Sequence, residues 1–226
     1  MRTKPSKNMK YEFKKELPAL LILAVAWLAG WYFYMHFPDR VVTHWNFAGT
    51  PDSWGSKTTN AWAMPGVLTG MYLLFTFLPL VDPRKDRYPE FMNVYRMFKN
   101  IIMLVFLAVL LASGAYNLGY NIKIQYVVPT IIGLLMIVLG NYMGKIKPNW
   151  FVGIRTPWTL SSENVWNKTH RVGGYAFVLF GLLIILSPFL PQTFGLITFI
   201  GGAALMVLGT FGYSYWAYRK EVTSSK

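Results

Sequence analysis

IIMLVFLAVLLASGAYNLG, Ile101–Gly119, contains no Asp, Glu, Lys, Arg or His. The hydrocarbon core of a bilayer is about 30 Å thick and is crossed by about 20 apolar residues in a helix. A stretch of this length and composition reads as a transmembrane helix. Five more read alike: Leu17–Met35, Trp62–Val81, Tyr126–Gly144, Gly174–Leu190 and Gly195–Tyr218. Composition agrees, because the 226 residues are 54% hydrophobic and 14% charged, whereas a soluble domain carries about a quarter charged residues. The expected fold class is all-α, a polytopic integral membrane protein built as a bundle of six transmembrane helices. Pro and Gly inside several of these stretches do not count against it, since neighbouring helices can cover the freed backbone groups.

Basic residues set the direction of threading. Nineteen of the 22 Lys and Arg fall before the first stretch, in alternate connections after it and in the tail, and three fall in the other connections. The positive-inside rule then places both termini and the two basic connections in the cytoplasm. The net charge of +13 is explained by this facing of an anionic leaflet. No zinc-finger, RNA-binding or helix-turn-helix signature is present, so no direct nucleic-acid partner is expected. WYFYMHF, Trp31–Phe37, offers no small-residue cleavage site, so the first stretch reads as a retained anchor. Trp31, Tyr32, Tyr34, Trp62, Tyr213, Tyr215, Trp216 and Tyr218 sit at the ends of stretches, where amphipathic rings anchor at headgroup level. Three parts are expected: a basic cytoplasmic tail at 1–16, a two-span unit at 17–100, and a four-span unit at 101–226. Gly66 with Gly70, and Gly195 with Gly202 and Gly209, are candidate helix-packing surfaces. The six stretches hold no Asp, Glu, Lys, Arg or His, which argues against proton-coupled transport.

One outer segment is sizeable, His36–Ala61, HFPDRVVTHWNFAGTPDSWGSKTTNA. VVTHW has strand propensity and GTPD reads as a turn. Phe37, Trp45, Phe47 and Trp54 suit either packing on the membrane surface or recognition of a peptide. His44 and His36 lack any spacing that would hold zinc. With no cysteine in the chain, no metal site and no cofactor is expected.

Two inner segments are basic. In DPRKDRYPEFMNVYRMFKN, Asp82–Asn100, Tyr88, Phe91, Tyr95 and Phe98 recur every three or four residues, so a helix lying on the inner leaflet is expected. In KIKPNWFVGIRTPWTLSSENVWNKTH, Lys145–His170, Pro148, Gly153 and Pro157 interrupt any helix. Ser161 or Ser162 can then cap a new helix, with Glu163 complementing its dipole. Asn141 places an amide near the inner end of the fourth stretch, where it needs a hydrogen-bond partner. Arg155, between Gly153 and Pro157, is suited to bidentate contact with carboxylate or phosphate. This segment can brace the fourth and fifth stretches, dock a cytoplasmic protein, or hold a phosphate headgroup with Lys147, Arg155, Lys168 and Arg171. Glu163 and His170 are its only candidates for acid–base work. The chain therefore reads as a non-enzyme with no catalytic residue. A membrane enzyme or lipid-binding protein acting on a phosphorylated lipid at the inner leaflet is the alternative.

The residues of this segment resemble the signature of the SdpI/YfhL family of bacterial membrane proteins. The resemblance is carried by Gly140, Asn141, Lys147, Pro148, Asn149, Gly153, Ile154, Arg155, Thr156, Pro157, Trp158, Thr159, Leu160, Trp166 and His170. VVTHWNFAGTPDSWGSK, Val41–Lys57, resembles the HWN-x-x-G-x-P-D segment of the domain usually found at the start of such proteins. The resemblance implies a multi-pass protein of the bacterial cell membrane. It implies a receptor-like immunity protein giving resistance to a secreted peptide toxin and signalling by holding a cytoplasmic transcriptional repressor at the membrane. On that reading His44, Trp45, Asn46, Gly49 and Asp52 form the toxin-sensing outer loop. Asn141, Lys147, Pro148, Asn149, Gly153, Arg155, Thr156, Pro157, Trp158, Thr159, Trp166 and His170 form the inner motif for partner docking. The partners are the lipid bilayer, the toxin and the repressor.

Overall fold

The computed structural model describes residues 13–224. Six helices are long and apolar enough to cross a membrane. In chain order the helices are α1 (Phe13–His36), α2 (Lys57–Val81), α3 (Met92–Asn117), α4 (Ile124–Met143), the short α5 (Pro157–Ser161), α6 (Glu163–Leu186) and α7 (Gln192–Ser224). The outer segment is an antiparallel hairpin, β1 (Arg40–Trp45) and β2 (Pro51–Ser56), paired from Arg40 opposite Ser56 to Trp45 opposite Pro51. Of the expected tail, residues 1–12 lie outside the described residues, and Phe13–Glu16 already form the first turn of α1. α3 runs unbroken through residue 100.

Local chemistry sets the element ends. Ser56 caps α2, its hydroxyl accepting from Thr59 N at 3.2 Å. Asp82 closes α2 and Pro83 follows, which removes the donor that another turn needs. Six antiparallel crossings bring the starts of α1, α3 and α6 and the ends of α2, α4 and α7 to one end of the bundle, called here the motif end. The hairpin caps the opposite end.

Two apolar clusters fill the interior. One joins α1, α2 and α3 through Ala19, Ala26, Phe33, Ala61, Leu68, Met103, Leu107 and Leu110. The other lies at the motif end, where Tyr88, Phe91, Tyr95 and Phe98 meet Met143, Ile146 and Trp166. The aromatic stripe expected on the leaflet is therefore turned into the protein. Trp166 and Ile146 give it an apolar partner. The Tyr95 hydroxyl donates to Phe75 O at 2.6 Å and the Tyr88 hydroxyl to Asp82 Oδ2 at 3.0 Å, bonds that acyl chains could not supply.

The tightest helix contact is between α4 and α6. A Cβ on Gly140 would stand 2.6 Å from Gly174 O, and one on Gly133 would stand 2.5 Å from Gly181 O; the reverse approaches are the same. Backbones meet because only hydrogen lies between them. A Cβ on Gly66 or Gly70, by contrast, would meet nothing within 4 Å, so the expected GxxxG surface packs on none of the described residues. Gly202 packs on Phe180 and Gly195 on Ser187 and Phe47, but Gly209 is open.

Just beyond the expected apolar stretches lies a buried ion pair. Lys99 Nζ bonds Glu16 Oε2 and lies 5.1 Å from the Tyr72 ring centroid. The residues are 2% and 6% exposed. Removing one partner of such a pair leaves a buried charge uncompensated and costs about 3–5 kcal/mol, whereas replacing both by apolar residues is often neutral. Lys99→Met is therefore expected to lower the thermal unfolding temperature in detergent sharply, and Glu16→Leu combined with Lys99→Met to restore most of it. Equal damage from the single and double variants would show that the charges are not coupled.

Candidate functional site

The segment between α4 and α6 is organised by one amide. Asn149 is fully buried. Its Nδ2 donates to Lys147 O and Val152 O, both at 2.9 Å, and its Oδ1 accepts from Phe151 N at 2.9 Å and Val152 N at 2.6 Å. An Asn side chain offers two donors and one acceptor oxygen with two lone pairs, and all are used. Pro148 beside it is buried as well. Arg155 folds back so that its Nη1 donates to Trp150 O at 2.6 Å. The guanidinium remains exposed, as do Trp150 and Phe151, and these three crown the loop.

Gly153 adopts φ +109, and a Cβ there would run into the His170 ring. The backbone is in the left-handed region that L side chains rarely adopt. This close approach lets Ile154 N donate to His170 Nε2 at 3.0 Å. Because Nε2 accepts, the ring is the neutral tautomer that carries its proton on Nδ1, and that N–H donates to Trp166 O at 2.9 Å. The imidazole stacks on Trp166 with centroids 4.0 Å apart. Trp166 Nε1 donates to Ile146 O at 2.8 Å, which closes the loop onto the end of α4.

Thr156 begins α5. Its hydroxyl accepts from Thr159 N at 3.2 Å, Thr156 N donates to Thr159 Oγ1 at 2.9 Å, and Pro157 occupies the first turn, where a missing N–H costs nothing. The Thr156 hydroxyl also donates to Ser214 Oγ on α7 at 3.1 Å. Trp158 packs against Phe211 and Tyr215, with centroids 4.9 and 5.0 Å away. Of the two candidate caps for α6, Ser162 is the one used, accepting from Val165 N at 3.2 Å. Glu221 on α7 accepts from Ser162 Oγ and Asn164 Nδ2, both at 2.8 Å.

The α2–α3 connection grips this unit from the other side. Asp82 is 2% exposed. Its Oδ2 accepts from Trp150 N at 3.0 Å as well as from Tyr88, and its Oδ1 accepts from Arg84 N at 2.7 Å. Burial, then the Asp82 charge, push the Tyr88 phenol well above its ordinary pKa, so Tyr88 stays a donor. Arg84 Nη2 donates to Leu160 O at 2.9 Å, and Arg87 Nη2 pairs with Glu163 Oε1 at 2.6 Å.

The structure thus gathers Lys147, Pro148, Asn149, Gly153, Arg155, Thr156, Pro157, Trp158, Thr159, Trp166 and His170 into one knot. Asn141 stands apart: it is exposed on α4, and its side chain makes no hydrogen bond among the described residues. The four cations considered for one phosphate do not share a site, because Lys147 lines a hollow with Lys145 and Phe91, while Lys168 and Arg171 face a groove on α6 and α7. His170 is fully buried with both nitrogens engaged, and Glu163 is paired with Arg87, so the two do not form an acid–base pair. Asp82, Arg84, Arg87, Ser214 and Glu221 were not singled out from sequence. DPR after an apolar stretch is a visible sign of a helix stop, but nothing local points to contacts that lie 68 and 76 residues away in the chain.

At the other end, the five expected sensing residues share the hairpin. Asn46 makes the turn: its Oδ1 accepts from Ala48 N and Thr50 N, both at 3.0 Å, and Gly49 takes φ +77. His44 Nδ1 and Asp52 Oδ1 are 2.6 Å apart and exposed. Trp45 instead packs edge-on against Tyr116 at 5.1 Å, so its ring is half-buried. The outward aromatics are Trp54 and Phe47, and Phe47 leans towards Phe199 of α7. Asn117 at the end of α3 fixes the strand, accepting from Val42 N at 2.8 Å and donating to Val42 O at 3.0 Å.

The knot lies within a segment that resembles known proteins. Residues 145–214 match the model of the SdpI/YfhL protein family. The matched segment begins at Lys145, takes in α5 and α6, and ends at Ser214, the partner of Thr156. Residues 21–69 match a domain of unknown function, DUF1648, which covers most of α1, the hairpin and the first half of α2. Over 208 residues the chain is 28% identical to Immunity protein SdpI of Bacillus subtilis strain 168, spanning 92% of this chain and 97% of that protein. No solved structure matches.

Asn149→Ala would strip four backbone groups of the knot of their partners, and each group left buried and unpaired costs about 1–3 kcal/mol. The variant is expected to unfold at lower temperature and to be cut by protease between Lys147 and Arg155, where the wild type resists. Wild-type resistance in the variant would mean that the loop holds its shape without the amide.

Proposed function

We propose that this protein is an immunity protein and receptor for a secreted antimicrobial peptide toxin. The hairpin end faces outside and senses the toxin, and the motif end faces the cytoplasm and presents a docking surface to a transcriptional repressor. The positive-inside bias supports this orientation. The near full-length similarity to a protein named for immunity supports the activity.

The structural observation that carries the reading is the connection between the two ends. α2 begins at the hairpin, whose last residue Ser56 is its cap, and ends at Asp82, which bonds Trp150 of the knot. A displacement of the hairpin therefore has a continuous helical path to the loop crowned by Trp150, Phe151 and Arg155. Those exposed side chains, two aromatic and one guanidinium, are the types enriched where proteins dock. The unassembled acid–base pair gives the enzyme alternative no support.

Bacillus subtilis cells lacking Immunity protein SdpI, mixed with their unaltered siblings, provide the test. Expression of this chain is expected to restore survival. Trp54→Ala, at equal membrane level, is expected to lower the toxin concentration tolerated by about tenfold, the order lost with an exposed aromatic anchor. Arg155→Ala is expected to keep protection and lose recruitment of the repressor to the membrane. Unimpaired killing of cells shown to carry the wild-type chain would refute the reading.

A further inference from the structure

Beside the knot, α6 and α7 enclose a groove of about 500 Å³, whose end is lined by Asn164, the donor to Glu221. Asn167, Lys168 and Arg171 line it from α6, and Tyr213, Trp216 and Lys220 from α7. Three cations thus face one concavity whose lining has no carboxylate. Among the described residues none of the three is in an ion pair, and Lys220 instead lies 5.3 Å from the Trp216 ring centroid. The neighbouring carboxylate Glu221 is held by Ser162 and Asn164 at the start of α6.

The order of side chains along the groove is informative. Residues three and four apart share a helix face. On α6 the stripe Lys168 and Arg171 continues to Tyr175 and Leu179, which are 74% and 56% exposed. On α7 the stripe Lys220, Trp216 and Tyr213 continues to Gly209, where nothing stands within 4 Å. Cations at the motif end therefore give way to interfacial rings and then to an open apolar face. That sequence of charge, aromatic and hydrocarbon reproduces the profile of one bilayer leaflet. Free loop cations, which would satisfy the threading rule equally well, do not need a concavity or this ordering.

We propose that the groove holds the phosphate of an anionic membrane lipid, with an acyl chain lying along Tyr175 and Leu179. Lys168, Arg171 and Lys220 neutralise the headgroup, Asn167 offers an amide donor, and Trp216 and Tyr213 fix its depth. The site is independent of toxin sensing. A free phosphate shares the anion but cannot use the apolar floor.

The test is native mass spectrometry of the full chain released from detergent containing phosphatidylglycerol, phosphatidylcholine or inorganic phosphate. The wild type is expected to retain phosphatidylglycerol in preference to the other two. Lys168→Gln, Arg171→Gln and Lys220→Gln together are expected to reduce retention by about tenfold or more, given the attraction of each basic side chain to an anionic headgroup. A control that removes the same charge elsewhere, Lys85→Gln, Lys123→Gln and Lys145→Gln, is expected to leave retention unchanged. Thermal unfolding of both triple variants shows whether the chain is intact. Equal retention of the two lipids, equal loss in both triple variants, or displacement of phosphatidylglycerol by equimolar phosphate would each overturn the proposal.

Discussion

One buried carboxylate ties the two halves of this protein together. Asp82 ends α2, stops it in company with Pro83, and spends both oxygens on three donors from two different connections. A carboxylate removed from water is tolerable only when such bonds replace its hydration. The arrangement fixes the start of the α2–α3 connection, which then places Arg84 on Leu160 and Arg87 on Glu163. Without Asp82, the knot between α4 and α6 would touch the first half of the chain mainly through the aromatic cluster around Tyr88 and Tyr95.

The second half has its own constraint, the glycine seam. Four glycines let α4 and α6 run with backbones nearly touching, which fixes the gap that residues 144 to 156 must bridge. Over so short a gap a flexible loop would leave many backbone groups unpaired. Asn149, His170 and the Thr156–Thr159 capping box pair them instead, and Trp166 closes the apolar side. The loop then exposes Trp150, Phe151 and Arg155 at its crown. Bracing and presentation are thus one structure, because the bonds that hold the loop also decide which side chains remain free.

The six helices were legible in the sequence because an apolar run of bilayer length has few other readings. Helix ends were less so: α3 begins at Met92 and α6 at Glu163, well before the apolar runs at Ile101 and Gly174, since the cores at the motif end bury polar helical turns that hydropathy cannot distinguish from loops. The stripe Tyr88, Phe91, Tyr95 and Phe98 was visible, but periodicity does not say whether lipid or protein covers it. Gly66 and Gly70 drew attention as a motif and proved open, while Gly133 and Gly140, and Gly174 and Gly181, each seven apart, carry the real seam. Spacing of seven on two consecutive membrane-spanning helices was the available signal. Glu16 with Lys99, and Asp82 with Trp150, were not legible, because pairing across the chain leaves no local trace. Among the site residues, the knot was legible as an irregular run of Pro, Gly, Asn and Trp. The inward turn of Trp45, and the outward one of Asn141, were not.

The proposed function requires ends that are separate yet mechanically joined. Here the hairpin is pinned by Asn117 and by its cap on α2, and the knot is pinned by Asp82 at the far end of the same helix. The central claim is that Asp82 holds the knot in shape. Amide hydrogen exchange across residues 146 to 155 in lipid nanodiscs, wild type against Asp82→Ala, tests it most directly. Faster exchange at Trp150, Phe151 and Val152 in the variant, with α4 and α6 still protected at the glycine seam, is the predicted result. Unchanged exchange at those three amides would contradict it.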